Sequence, residues 1–287
     1  MISVLVCSAD TDLLSNLKLN IAKTIGTEYE IISYDNRFER KGICTVYNWL
    51  AQQAKFDILC FIHEDVKIHT RNWGAILKKI LDDEEIGLVG ISGAVYKSAY
   101  PSTWSACSRD LYRTNSIQHF KNKPEPQLSS VNPDQLLYSE VAVIDGVFMA
   151  TRKSVWEKNI FDSANLKGFH GYDIDFSLQV GLQYKLVVSF EILLEHFSEG
   201  NLTKAWLNDS LQVHRKWRKR LPLKVLPVSR AEQRRSDYLS CRSFLVNAMR
   251  LNASKYLVFK YFMILFYCFM TLNGLKHSKS VFKYLLS

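Results

Sequence analysis

The stretch "CTVYNWLAQQAKFDILCFIHED", residues 44–65, decides the fold. Its first eleven residues read as a helix, and "FDILCFI" (56–62) reads as a buried β-strand. That strand runs straight into three ionisable side chains, His63, Glu64 and Asp65. Working outward, "ISVLVCS" (2–8) and "YEIISY" (29–34) read as strands. Between them "TDLLSNLKLNIAKTIG" places Leu13, Leu14, Leu17, Ile21 and Ile25 on one helix face and stops at Gly26. "NWGAILKKILDDE" (72–84) continues as a helix and "IGLVGIS" (86–92) as a strand. The order βαβαβαβ implies a mostly parallel sheet flanked by helices, with ligands in the crevice at the carboxyl ends of the strands. The acidic triplet lies at one of those ends.

At 287 residues and 47% hydrophobic content the chain has ample material for a sizeable core. Its start, "MISVLVCSADTD", has no basic stretch before a short apolar run, so a cytoplasmic protein without a secretory signal is expected. Six scattered cysteines form no CxxC and no finger-like pairing with histidine; neither a zinc module nor a disulfide framework is implied. The net charge of +9 divides unevenly, −5 over residues 1–200 and +14 over residues 201–287. A catalytic domain (1–200) and a basic, aromatic-rich helical extension (201–287) are therefore expected, the latter facing an anionic surface.

From about 97 to 137 the pattern becomes irregular, rich in Ser, Asn, Pro and aromatic residues, as in a functional lid or a disordered insertion. Regular structure returns with "YSEVAVIDGVFMATRKSVWEK" (138–158). "YDIDFSLQVGLQ" then reads as a helix, and "YKLVVSFEILLEHFSEG" (184–200) as a strand and its exit. In the extension "LTKAWLNDSLQVHRKWRKR" (202–220) reads as a basic helix. The apolar segment 256–275 is interrupted by Lys260, and its clean run is too short to span a bilayer, so it reads as a buried or interfacial helix.

Acids at a sheet mouth serve either as a cap or salt-bridged loop, or as ligands for a divalent cation. Oxygen ligands suit Mg²⁺ or Mn²⁺, and Mn²⁺ also accepts imidazole. A HExxH zinc site is excluded because His69 falls six positions after His63. Asp35 and Asn36 follow the second strand, where a ribose or base would lie, with an Asx turn as the plainer reading. Asp173 and Asp175 stand at a helix start, which favours carboxylates for capping as well as for catalysis. His196 lies just beyond a hydrophobic strand, and Trp104 and Tyr112, in the irregular insertion, are candidate sugar or acceptor platforms. "GLVGISG" (87–93) sits within a strand pattern, so its glycines indicate close packing, not a dinucleotide loop.

The order of these motifs, with "DGVFMATRKSVWE", "GYDIDFSLQ" and "HFSEG" following the triplet, resembles the GT-A type glycosyltransferases. The closest likeness is to the family-2-like enzymes, particularly a bacterial subgroup with a His-Glu-Asp version of the DxD motif. The resemblance covers approximately residues 2–200. It implies that Asp65 binds the cation bridging the donor's two phosphates, with Glu64 supporting, His196 as a third ligand and His63 in place of the first acid. Asp35 would meet the nucleoside, Asn48 would lie near the nucleotide, and Asp145-Gly146 would line the sugar and acceptor side. Asp173 becomes the catalytic base, with Asp175 ranked second as a cap or a partner orienting it, and Tyr172 stands where the family usually has Glu.

Transfer from a nucleoside-diphosphate sugar to a hydroxyl acceptor, with inversion, is the function so implied. A glycan or lipid-linked acceptor in polysaccharide biosynthesis would suit it. A nucleotidyltransferase would need a Gly- and Lys-bearing triphosphate loop that "VCSADTD" lacks, and a non-catalytic binding module would have no use for acids at 65 and 173. The extension could rest on a membrane as a peripheral anchor, pack on the core or mediate oligomerisation. No nucleic-acid fold signature is present.

Overall fold

The computed structural model describes residues 1–269 and 277–286. The first half follows the alternating pattern: β1 (Ile2–Ser8), α1 (Thr11–Thr24), β2 (Tyr29–Asp35), α2 (Ile43–Gln53), β3 (Ile58–Ile62), β4 (Val66–Ile68), α3 (Trp73–Leu81), β5 (Ile86–Gly90). Helix α1 starts where the Asp10 carboxylate accepts from the Asp12 and Leu13 amides, and it buries Leu17 and Ile21. Strands β1 and β3 are apolar almost throughout because both of their faces are covered by helices.

After β5 come β6 (Ser92–Ala94), β7 (Tyr96–Lys97), β8 (Tyr112–Gln118), β9 (Gln127–Val131), β10 (Tyr138–Val141), β11 (Val143–Ile144), β12 (Phe148–Arg152) and α4 (Lys153–Lys158). Then follow α5 (Tyr172–Val180), β13 (Lys185–Ser189), β14 (Leu194–His196), α6 (Lys204–Trp217), β15 (Leu223–Lys224), α7 (Arg230–Arg250), α8 (Lys255–Phe269) and α9 (Ser278–Leu286). The main sheet has the order β10-β13-β5-β12-β3-β1-β2. β1 is parallel to β2 and β3, and β13 to β5. β12 is antiparallel and wedged between β3 and β5, so the parallel array is not continuous.

Two expectations need correction. The segment 97–137 is not an irregular insertion throughout, since β8 and β9 pair antiparallel from Thr114↔Val131 to Gln118↔Gln127 and extend a second sheet, β11-β6-β8-β14-β4. Polar strands such as "YRTNSIQ" and "QLSSV" give little hydrophobic alternation. Their pairing is visible only in contacts such as Thr114 Oγ1 to Ser129 Oγ, 2.9 Å. Likewise "YKLVVSFEILLEHF" is two strands, β13 in the main sheet and β14 in the second, parallel to β8 and antiparallel to β4.

Two apolar cores cover the faces of the main sheet, one around Tyr47, Leu50, Phe61 and Phe176, the other around Ile2, Val4, Leu17 and Trp73. A third joins α6 to α7, α8 and α9 through Trp206, Phe244, Leu245, Tyr261, Leu265 and Val281. Helix α7 opens with a capping box, Ser229 and Glu232 satisfying each other's amides. Among the described residues no helix is long and apolar enough to cross a membrane. The end of the apolar segment 256–275 lies outside the described residues.

Candidate active site

The site begins where β3 ends. His63 donates its amide to the Val147 carbonyl (3.1 Å), and the Asp65 carbonyl accepts from the Phe197 amide (3.0 Å). The β14–β4 register sets His196 opposite Val66 and so beside Asp65. One ligand atom from each of His63, Asp65 and His196 lies within 4.8 Å of the others.

Partners outside the cluster fix what those atoms can do. Gln118 donates from Nε2 to the carbonyls of His119 (2.8 Å) and Ser198 (2.7 Å), which turns its Oε1 toward His196 Nδ1 at 3.1 Å. Nδ1 therefore carries the proton and Nε2 keeps a lone pair. That Nε2 is buried without a hydrogen-bond partner, 3.5 Å from Asp65 Oδ2. On the other side His63 Nε2 lies 2.8 Å from the Tyr172 hydroxyl, itself 3.2 Å from the Gly146 carbonyl. With that hydroxyl donating to the carbonyl it receives His63 Nε2–H, leaving the Nδ1 lone pair 4.0 Å from Asp65 Oδ1. Position 146 must be glycine for this contact, because a Cβ there would sit 2.2 Å from the Tyr172 oxygen.

Burial by itself would push the Asp65 carboxyl up, but the positive charge of His196 whenever its ring is protonated, with Ser198 and a protonated His63 adding, outweighs it and sets the carboxyl well below its usual range. Burial, with His196 adding, pushes His63 down, so its ring is neutral and can ligate. Two imidazole lone pairs and a carboxylate converging on one point, one of the nitrogens otherwise orphaned, suit a borderline divalent cation such as Mn²⁺.

Asp173 enters from α5. Gly171, at φ 74°, makes the left-handed turn into that helix and leaves Asp173 in its first turn. Burial, reinforced by the nearby Asp145 carboxylate, raises the Asp173 carboxyl to about 7, against backbone amides of Ile174 and Gly146 that favour its charge. A carboxyl poised there suits a general base.

Two cavities meet at this point. One, about 660 Å³, is bounded by the ends of β1 and β2 and the start of α2, and is lined by Arg37, Arg40, Tyr47 and Asp65. The other, about 610 Å³, holds Asp145, Gly146, Asp173, His196 and Trp104. His63 and Phe169 line both.

Other sequence candidates sit elsewhere or have their polar atoms engaged. The Glu64 carboxylate is taken by the Ser8 hydroxyl (2.6 Å) and the Ala9 and Asp10 amides, so it shapes the β1 exit and its oxygens are not free. Asp35 is exposed and paired with Arg37 (2.6 Å). Asn36 closes its own loop on the backbone of Lys41. Asn48 lines neither cavity; its amide holds Phe161 N and O and Trp156 Nε1, which corrects its expected place near the nucleotide. Asp175 is buried and faces away from Asp173, accepting from Lys216 Nζ and Trp217 Nε1 (2.7 Å); it anchors α6, which overturns its ranking as second catalytic carboxylate. Gln118, and Tyr172 as the partner of His63, escaped the sequence reading; a lone polar residue in a polar strand carries no signal.

The fold is that of the GT-A type glycosyltransferases. The chain belongs to the glycosyltransferase-like family, whose model matches residues 3–219. None of the curated protein sequences matches it. Among solved structures it is similar to GalNAc-T7 with UDP, GalNAc and Mn²⁺ (TM-score 0.54, 12% identity, 76% of this chain covered). It spans 48% of the length of that chain. It is also similar to the mannosyltransferase PcManGT from Pyrobaculum calidifontis in complex with GDP-Man and Mn²⁺ (TM-score 0.52, 13% identity, 99% of this chain and 84% of that one). These likenesses establish the fold.

Proposed function

We propose that this glycosyltransferase moves a sugar from a nucleoside-diphosphate donor to an acceptor hydroxyl with inversion, with a divalent cation, Mn²⁺ or Mg²⁺, held by His63, Asp65 and His196. The observation that carries the reading is the orphaned His196 Nε2 facing an ionised Asp65 where the two cavities join. GalNAc-T7 and PcManGT, whose structures contain nucleotide or nucleotide-sugar and Mn²⁺, support it by analogy. When bound, the cation neutralises charge developing on the departing diphosphate.

The chain's own residues then divide the work. Arg37 and Arg40 line the cavity assigned to the nucleotide. Asp173, in the neighbouring cavity, takes the proton of the attacking hydroxyl at its carboxylate. With the base in one cavity, the leaving group in the other and His63 between, attack and departure fall on opposite sides of the anomeric carbon, which inverts it. In this reading residues 1–200 form the catalytic domain, and the extension 201–287 closes its acceptor side through α6.

A membrane contact in glycan assembly belongs to the same reading. The last 50 residues contain no Asp or Glu and seven Lys or Arg. Helix α8 exposes Tyr256, Phe259 and Tyr267, and α9 exposes Phe282 and Leu286. Aromatic rings beside cations suit an anionic lipid surface. Equal sedimentation with anionic and zwitterionic vesicles would remove this part.

The central test is a thermal-shift panel of sugar nucleotides with and without Mn²⁺ on the wild type and His196→Ala. A donor should raise the melting temperature of the wild type only with metal, and that dependence should be lost in the variant. The anomeric configuration of the product, read by NMR, decides inversion.

A further inference from the structure

We propose that the part of the 610 Å³ cavity lined by Trp104 and His214 is an acceptor subsite for an uncharged saccharide, its ring laid against Trp104 and one hydroxyl donating to His214. The proposal rests on the glycosyltransferase reading above and names the acceptor class for it.

The charge on the cavity wall is the first ground. The chain carries 37 Lys and Arg, yet among the described residues none lines this cavity. Helix α6 forms one side of it, and its neighbouring cations are directed elsewhere. Lys216 is bound to Asp162 and Asp175, and Arg215 lines a separate hollow. The buried Lys97 has its amino group engaged by Ser102 Oγ and by the Ser102 and Thr103 carbonyls, so it holds the loop that carries Trp104. The ionisable acids on the wall, Asp145, Asp173 and Glu199, are all anionic when charged. A phosphate-bearing acceptor group would find no counter-charge here. A sugar ring finds the half-buried Trp104, packed on Tyr112 at 5.3 Å, and hydroxyls from Thr103, Ser105 and Ser210.

His214 is the second ground. It lines the cavity, is 6% exposed, and its Nδ1 donates to the Ser210 carbonyl at 2.8 Å. The remaining ring nitrogen, Nε2, is buried and has no partner. Burial, with the charge of Lys97 adding, keeps this ring neutral, so Nε2 can only accept. A buried acceptor without a donor is costly, and a ligand O–H or amide N–H removes that cost after a small shift of the ring, whereas an ionised carboxylate or phosphodiester oxygen cannot. The same cavity reaches Asp173, so a saccharide held by His214 has further hydroxyls directed toward the base.

The experiment uses the full chain with diamagnetic Mg²⁺ and a bound nucleoside diphosphate, titrated with methyl glycosides of glucose, galactose, mannose and N-acetylglucosamine and, separately, with dimethyl phosphate, which has no O–H to donate. The readout is the NMR signal of the His214 side chain, with saccharide affinity by calorimetry. At least one glycoside should shift His214 saturably and dimethyl phosphate should not. His214→Leu should weaken that glycoside by about tenfold, the loss of one well-made hydrogen bond. His214→Gln, which keeps an acceptor, should retain much of the affinity, and Trp104→Ala should also weaken it. Nucleotide binding by each variant reports that its donor side is folded. Glycosides that bind wild type and His214→Leu alike, that bind neither, or that yield to dimethyl phosphate at His214 would overturn the proposal. Failure of the glycosyltransferase reading shows separately, as absence of metal-dependent nucleotide binding in the wild type.

Discussion

Replacing Asp173 with asparagine separates the charge of this side chain from its shape. Burial and the Asp145 carboxylate raise the Asp173 carboxyl from its ordinary value of 3.8 to about 7, so the folded protein keeps a proton that the unfolded chain gives up. Ionisation therefore opposes folding: the penalty begins as pH rises past the unfolded value, grows across the interval, and is complete above about pH 7. At its full extent it is up to ~4 kcal/mol. Asparagine does not titrate. Between about pH 5.5 and about pH 8.5 the wild type should thus lose ~2 kcal/mol relative to Asp173→Asn, several degrees of melting temperature for a chain of this size. Thermal and urea unfolding of both proteins, free of metal and donor, at the two pH values measures the difference. The variant should bind a sugar nucleotide and fail in transfer, gaining stability where it loses function. Stability differences that stay parallel between the two pH values would refute the reasoning, since Asp173 would then ionise like any exposed carboxyl and have no claim to be a base poised near neutrality.

Transfer should rise with pH through about 7 as Asp173 loses its proton, while donor affinity does not follow; a rate that is flat across that range in steady-state assays would remove Asp173 as the base. Gln118→Leu leaves His196 Nδ1–H without its acceptor and frees the ring to turn. Mn²⁺ affinity by electron paramagnetic resonance titration should fall by about 10- to 100-fold. Gly146→Ala sets a Cβ 2.2 Å from the Tyr172 hydroxyl. It should destabilise the fold by ~1–3 kcal/mol in urea and weaken Mn²⁺ binding by disturbing His63. Asp175→Ala, which leaves Trp217 Nε1 without its acceptor and Lys216 with Asp162 alone, should cost ~1–3 kcal/mol in the same urea assay yet leave Mn²⁺ affinity within about twofold, as expected of an anchor for α6 and not a group of the site.

Much of the fold was legible along the chain because local periodicity carries it. Leu13, Leu17, Ile21 and Ile25 mark one helix face, "FDILCFI" marks a strand covered on both sides, and their alternation dictates a parallel sheet. His63 and Asp65 had to lie at its mouth, being joined covalently to the end of β3. Local pattern left Asp173 and Asp175 both open as helix-start carboxylates, and only the family resemblance ranked them. Two positions apart on a helix they point to nearly opposite sides, and only the docking of α6, through Lys216 and Trp217, turns Asp175 outward and leaves Asp173 to the cavity. Asn48 was misplaced for the same reason, its amide belonging to a helix face that packs on Phe161. The meeting of His196 with Asp65, 131 residues earlier, depends on β14 leaving the main sheet to pair with β4, a register set by long-range backbone hydrogen bonds that no local pattern encodes. The second-sheet partner Gln118 followed unseen, because polar strands announce themselves only once a neighbour is beside them.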